Sequence, residues 1–114
     1  MIGPFDLEES TVAELPQTHG AYLLGFREGR SVMIGYVGRS KGLRRRLQEH
    51  VREGVYEVFY VGLTSNEVEA FFVECAEFHR YGKMHHLDNE IHPARPRGYK
   101  LSHCSVAGCQ GEPD

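Results

Sequence analysis

Arg46 and His50 are the side chains whose types fit their spacing least. In the run Leu43 to Val51, residues Leu43, Arg46, Leu47 and His50 recur at helical spacing and share one face, which Val51 extends. A guanidinium on the packed side of a helix calls for a partner or an anion, unless its stem packs and its head reaches water. Arg44, Arg45, Gln48 and Glu49 are expected on the opposite face. A second ionisable side chain, Glu74, falls in the run Asn66 to Tyr81. There Val68, Phe71, Phe72, Cys75 and Phe78 make an apolar stripe, and Glu74 lies roughly 100° from its centre, at the margin. A carboxylate in that position either reaches into a cleft or meets water.

Charge supports a phosphate-bearing partner at one face. The chain has 114 residues and a net charge of −3. Yet residues 39–52 carry Arg39, Lys41, Arg44, Arg45, Arg46 and Arg52 against the single Glu49, while residues 1–14 carry four acids and no Lys or Arg. A local basic patch on a mildly acidic body suits an anionic partner. A solvated helix surface would look the same.

These residues need elements to hold them. Residues 20–26 alternate as a half-buried strand, with Tyr22, Leu24 and Phe26 on one side. Residues 27–30 make a turn in which Gly29 is free to take positive φ, and a second strand covers residues 31–37, including Tyr36. Two strands so close should form an antiparallel hairpin. Ser40 is the expected N-cap of the basic helix, and Gly54 ends it. Residues 56–62 are rich in aromatic and β-branched types and predict a third strand. Thr64 and Glu67 have capping-box spacing for the next helix, with Leu63 and Val68 placed as a hydrophobic staple. The expected fold is therefore α/β (α+β): a small, three-stranded, mainly antiparallel sheet flanked by helices. Residues 1–14 read as a lead-in with a short helix over residues 10–15, residues 15–98 as the domain, and residues 99–114 as a C-terminal tail.

Bulk composition narrows the setting. At 40% hydrophobic and 25% charged residues, the chain is ordinary for a single globular domain. No apolar run is long enough to span a membrane, and no leader sequence is read at the N-terminus. Three cysteines do not make a disulfide framework, so a reducing, cytoplasmic setting is expected. Cys75 reads as a packing residue on its stripe.

The order of parts resembles the GIY-YIG nuclease family: a Gly20-Ala21-Tyr22 strand, a Tyr36-Val37-Gly38 strand, a basic helix with Arg46 and His50, a third strand, a helix with Glu74, then Asn89. The resemblance covers about residues 15–89. Leu15-Pro16 ahead of the first strand, and the run from Tyr36 to His50, look most like the N-terminal incision domain of bacterial UvrC. Glu69-Ala70 followed by Glu74 is similar to that family's second helix. Ala21 and Val37 stand where the family name has isoleucine.

The resemblance implies a metal-dependent endonuclease that hydrolyses DNA phosphodiesters. Tyr22 and Tyr36 would face each other across the hairpin, and Tyr22, or water beside it, would help deprotonate the attacking water. Arg46 would hold the scissile phosphate against its developing charge. Glu74 would hold a single Mg²⁺ or Mn²⁺, a hard cation suited to oxygen ligands. His50 and Asn89 would support them, and Arg39, Lys41, Arg44, Arg45 and Asn89 would meet the nucleic acid. The family sets this domain beside separate DNA-binding modules, so either specificity is low or a partner protein supplies it, with branched or damaged DNA as candidate substrates.

Two rivals use the same residues: a non-catalytic nucleic-acid-binding module, and a protein-interaction domain whose basic helix meets an acidic partner. Other constellations carry less. His103, Cys104 and Cys109 lack the further ligands of a structural zinc site. His85, His86, Asp88 and His92 have no helical register that would make them converge.

Overall fold

A computed structural model of the chain describes residues 1–85, 87 and 88. The elements are β1 (Ile2–Asp6), α1 (Glu9–Val12), β2 (Gly20–Glu28), β3 (Ser31–Ser40), α2 (Leu43–Glu53), β4 (Val58–Leu63) and α3 (Glu67–His85). The fold is α/β, with the strands in the order β1-β4-β2-β3 and every pairing antiparallel. The sheet has four strands where three were expected. Residues 1–14, read as a lead-in, supply the added edge strand β1, which pairs with β4, together with the short helix α1.

Both sheet faces are covered, which is why β2 is buried continuously from Gly20 to Gly25. On one face Tyr22 and Leu24 pack with Phe59 and Val61 of β4, Leu43 and Leu47 of α2 and Val12 of α1. On the other, Leu23, Ile34 and Val37 form a second cluster with Leu87, and Phe78 and Tyr81 of α3 close over it. Among the described residues no helix is long and apolar enough to cross a membrane.

The hairpin is longer and tighter than its sequence suggests. Glu28 pairs with Ser31, so only Gly29 and Arg30 link the strands, and Gly29 takes φ +60°. The register slips once: Leu24 faces Tyr36 while Gly25 faces Ile34, leaving Gly35 as the extra residue of a β-bulge. Strict alternation would put Ile34 and Tyr36 on the same side. The bulge separates them, sending Ile34 to the α3 face and Tyr36 to the α2 face with Tyr22.

Three local expectations change. Ser40 ends β3 and does not cap α2; its hydroxyl accepts the Gly42 N–H at 3.1 Å, and Gly42 holds the cap position. The first turn of α2 is instead satisfied by the preceding segment, with the Thr18 carbonyl taking the Leu43 N–H and Gln17 Oε1 the Arg45 N–H. The cap of α3 is shifted by two residues. Asn66 Oδ1 accepts the Glu69 N–H at 2.9 Å and Glu69 Oε1 accepts the Ser65 N–H at 2.7 Å. Thr64-x-x-Glu67 and Asn66-x-x-Glu69 have the same spacing, so sequence could not choose between them. The consequence is that Glu67 is free for other partners, and Leu63, expected to staple the helix, is exposed. Finally, Cys75 is fully buried, as its reading as a packing residue expects, and is also disulfide-bonded, which that reading did not include.

Candidate functional site

Gly38 explains how two tyrosines share one face of the hairpin. It pairs with Tyr22 across the β2–β3 ladder. A Cβ there would stand 2.7 Å from the Tyr22 Cζ and Oη atoms and 2.8 Å from Tyr36 Cε1. With only hydrogen at that position, the rings stack 6.1 Å apart at 16°. The tyrosine-x-glycine spacing thus seats one ring and clears room for the other.

Helix α2 closes over this pair. Leu43, Leu47 and His50 are buried, as their spacing predicted. His50 is only 4% exposed. Its Nε2 lies 3.1 Å from the Tyr22 hydroxyl, and its ring sits 5.4 Å from Tyr22 and 5.5 Å from Tyr36. Burial, then the Arg46 charge, push the imidazole pKa down, so His50 is neutral at neutral pH. Its Nδ1 is buried without a hydrogen bond, since Glu53 Oε2 stands 3.6 Å away, beyond bonding reach. Tyr22 is a phenol: burial, then the neighbouring Tyr36, raise its pKa well above the ordinary value, against the opposing influence of Arg46.

Arg46 is half-buried and has a partner that sequence reasoning assigned to the other face. Its Nη1 donates to Glu49 Oε2 at 2.6 Å, one turn on. This bond, helped by the Tyr22 and Tyr36 hydroxyls, holds the guanidinium firmly charged. The signal was available in the spacing of Arg46 and Glu49, which are neighbours on a helix surface. In front of Arg46 opens a groove of about 560 Å³ lined by Gln17, Ser40, Lys41, Gly42, Arg45, Arg46 and Glu49.

Glu74 arrives from the other side of the sheet, on α3. It is 8% exposed, so it is not the solvated marginal group one reading allowed. Its Oε1 accepts from Arg39 Nη1 at 2.7 Å. Burial raises its pKa and Arg39 opposes that rise. Its charge weighs least on the Tyr22 phenol, after burial, Tyr36 and Arg46. Arg39 faces away from Tyr22 because it follows Gly38 in β3, and its guanidinium packs 5.4 Å from the Phe71 ring centroid.

The basic residues divide. Lys41 and Arg45 are exposed at the groove, 76% and 78% by side chain. Arg44 is half-buried and donates to the Leu15 carbonyl at 3.4 Å. Arg39, expected to meet nucleic acid, is occupied by Glu74. Asn89, His86, His92, Cys104 and Cys109 lie outside the described residues. Reasoning from sequence read Tyr56 only as a strand residue and weighed Asp88 only with the neighbouring histidines: the Tyr56 hydroxyl donates to Asp88, whose N–H binds the carbonyl of the bulge residue Gly35. Tyr56 lies 6.3 Å from the Tyr36 ring, steadying the outer side of the tyrosine pair.

Among the described residues no three His, Cys, Asp or Glu side chains converge as a metal shell. A Mg²⁺ site does not require one, because that ion keeps several waters and commonly takes one or two carboxylates with substrate phosphates. Glu74 offers one carboxylate, whose Oε1 is held by Arg39, so the donor available is the single carboxylate that a hard cation of that type can take. Compared with protein-family models, curated proteins and solved structures, the chain matches none.

Proposed function

We propose that this chain is a divalent-metal-dependent endonuclease that hydrolyses DNA phosphodiester bonds, as its resemblance to the GIY-YIG family implies. The observation that carries this reading is the convergence of Tyr22, Tyr36 and His50 beside Arg46, which itself lines a groove with a basic rim. These residues come from β2, β3 and α2, and ordinary core packing would not call for so many polar groups in one place.

The chain's own residues would work as follows. Neutral His50 can accept a proton at Nε2, and the Tyr22 hydroxyl is bonded to that nitrogen. A water reaching Tyr22 Oη would pass its proton to that oxygen as the Tyr22 proton moves to His50, leaving hydroxide to attack phosphorus while a P–O ester bond breaks and the departing oxygen takes a proton from solvent water. Arg46, preset by Glu49 and both tyrosines, would hold the phosphate oxygens and oppose the charge that builds on them. Lys41 and Arg45 would hold neighbouring backbone phosphates. Glu74 would hold the divalent cation, which supplies Lewis-acid polarisation of the phosphate and a low-pKa water.

One observation favours the non-catalytic nucleic-acid-binding module instead. Both groups on which cleavage depends are already paired, Arg46 with Glu49 and Glu74 with Arg39. The deciding experiment incubates the purified chain with linear, nicked and branched DNA in Mg²⁺ or Mn²⁺, with an EDTA control and a parallel binding titration. Metal-dependent cleavage is the expected result. Salt-sensitive binding with no cleavage under any metal would identify the binding module, and neither binding nor cleavage would favour the protein-interaction domain.

A further inference from the structure

The Glu74 carboxylate is the most buried acid among the described residues and its close cationic partner is Arg39. Arg39 has a second anion within reach: its Nη2 is 3.8 Å from Glu67 Oε1, and Glu67 Oε2 is 3.8 Å from Lys41 Nζ. The arginine therefore sits between two carboxylates on one face of α3, one held at 2.7 Å and the other at the edge of ion-pair distance. Packing against Phe71 fixes its guanidinium region without committing it to either partner.

Resting on the reading of Glu74 as the metal-holding carboxylate, we propose that Arg39 and the divalent cation exchange on Glu74. Arg39 occupies the carboxylate in the free protein and moves to Glu67 when the cation binds. The reason is charge. A buried carboxylate must be paired, and in the resting protein Arg39 supplies the positive charge. A divalent cation beside the same carboxylate would stand within a few ångströms of that guanidinium, and like charges in a weakly screened site repel strongly. Glu67 gives the displaced guanidinium an anion nearby, so exchange costs less than expelling Arg39 into water. Arg39 is then a positioning residue for the metal rather than a phosphate contact in the resting protein, and Glu67 is its standby partner. The shifted cap of α3 is what makes this possible, because Glu69 and not Glu67 is used for capping.

The exchange gives Arg39 and Glu67 opposite effects on metal affinity, which a purely structural role would not do. The experiment titrates Mn²⁺ alone into the full chain without DNA, reading free Mn²⁺ by electron paramagnetic resonance, with circular dichroism to confirm folding. Arg39→Gln removes the competing cation and should tighten Mn²⁺ binding about tenfold, the scale of a coupling between two ligands of one protein. Arg39→Lys keeps the charge and should stay near the wild-type value. Glu67→Gln removes the standby anion and should weaken binding severalfold, and Glu74→Gln should abolish it. Glu67 is partly exposed, so that variant keeps the test decisive if Arg39→Gln fails to fold. Arg39→Gln binding no tighter than wild type, Glu67→Gln binding unchanged, or no Mn²⁺ bound by any variant would each overturn the exchange. DNA cleavage is scored separately, so cleavage by wild type alongside an overturned exchange leaves the nuclease reading standing.

Discussion

On the α2 face of the sheet, Tyr22 and His50 meet in a buried hydrogen bond between two groups both held neutral, and the cation beside them, Arg46, is compensated by Glu49 at the rim. On the α3 face, Glu74 is buried as half of an ion pair, and its compensation comes from a single arginine with a second carboxylate close by. The first face is fixed by packing: Gly38 sets the ring positions, and α2 lies across them. The second is fixed by charge, and charge pairs can be exchanged without repacking a core. The difference teaches that a rigidly packed polar pair and an exchangeable charge pair can be kept on opposite faces of one sheet, and the variants below test that separation.

The largest expected effects are on cleavage. Arg46→Ala should lower kcat by on the order of 10²–10³, the loss typical of a group that stabilises transition-state charge. Glu74→Gln keeps size and hydrogen bonding while removing the charge that would hold a metal, so it should fall to background in a plasmid and branched-DNA assay. Both variants should still bind DNA, since Lys41 and Arg45 are untouched. Equal cleavage by wild type and Glu74→Gln would remove the α3 face from the chemistry and end the comparison there.

Next is stability. Gly38→Ala forces a methyl group to within 2.7 Å of Tyr22 and 2.8 Å of Tyr36, and overpacking of that kind costs roughly 1–3 kcal/mol. A denaturant melt should show that loss, together with a changed tyrosine environment by near-ultraviolet circular dichroism. No loss would mean that the rings relax freely and that the α2 face is less rigid than the packing implies.

Acid should then act on the two faces with opposite signs. The folded pKa of His50 lies below the ordinary 6.5, so as pH falls through 6.5 the unfolded chain gains a proton that the folded one resists, and stability is lost. The folded pKa of Glu74 lies above the ordinary 4.5, so the folded chain gains its proton first, and stability rises as pH falls through that raised value. Thermal melts between pH 7 and 4.5 should show a reduced acid loss in His50→Gln and a missing acid gain in Glu74→Gln, each relative to wild type. Variants that shift in the same direction would contradict the assignment of the two environments.

Much of the α2 face was legible because helical spacing and strand alternation are local. Leu43, Leu47 and His50 fell on their face, and Tyr22 and Tyr36 in their strands. What sequence could not show was non-local or degenerate. Tyr36 reaches the Tyr22 side only because a bulge at Gly35 breaks the alternation, and nothing in the alternating run marks where the bulge falls. The cap of α3 was ambiguous between two equally spaced pairs. Strand β1 pairs with β4, more than fifty positions later in the chain, so its edge role cannot be read from its own composition. Arg39 was assigned to nucleic acid because it sits in a basic run. Its strand position, one residue past Gly38, turns it to the opposite face and onto Glu74.

The smallest expected effect separates the basic residues themselves. A uniform basic helix would make Arg44 and Arg45 equal contributors to phosphate binding. The structure makes them unequal, because Arg44 is half-buried against the Leu15 carbonyl while Arg45 and Lys41 stand exposed at the groove. A cation that releases a DNA counterion lowers the slope of log affinity against log salt by about one on removal. Arg45→Ala and Lys41→Ala should each flatten the slope by about that amount and weaken binding similarly for all sequences, since exposed phosphate contacts carry no base reading. Arg44→Ala should change the slope less and lower stability instead, by losing its link to the segment ahead of β2. Fluorescence anisotropy of a labelled duplex across a salt series gives all three slopes. If Arg44→Ala flattens the slope as much as Arg45→Ala, Arg44 leaves Leu15 to meet the phosphates, and the groove extends around that side of α2.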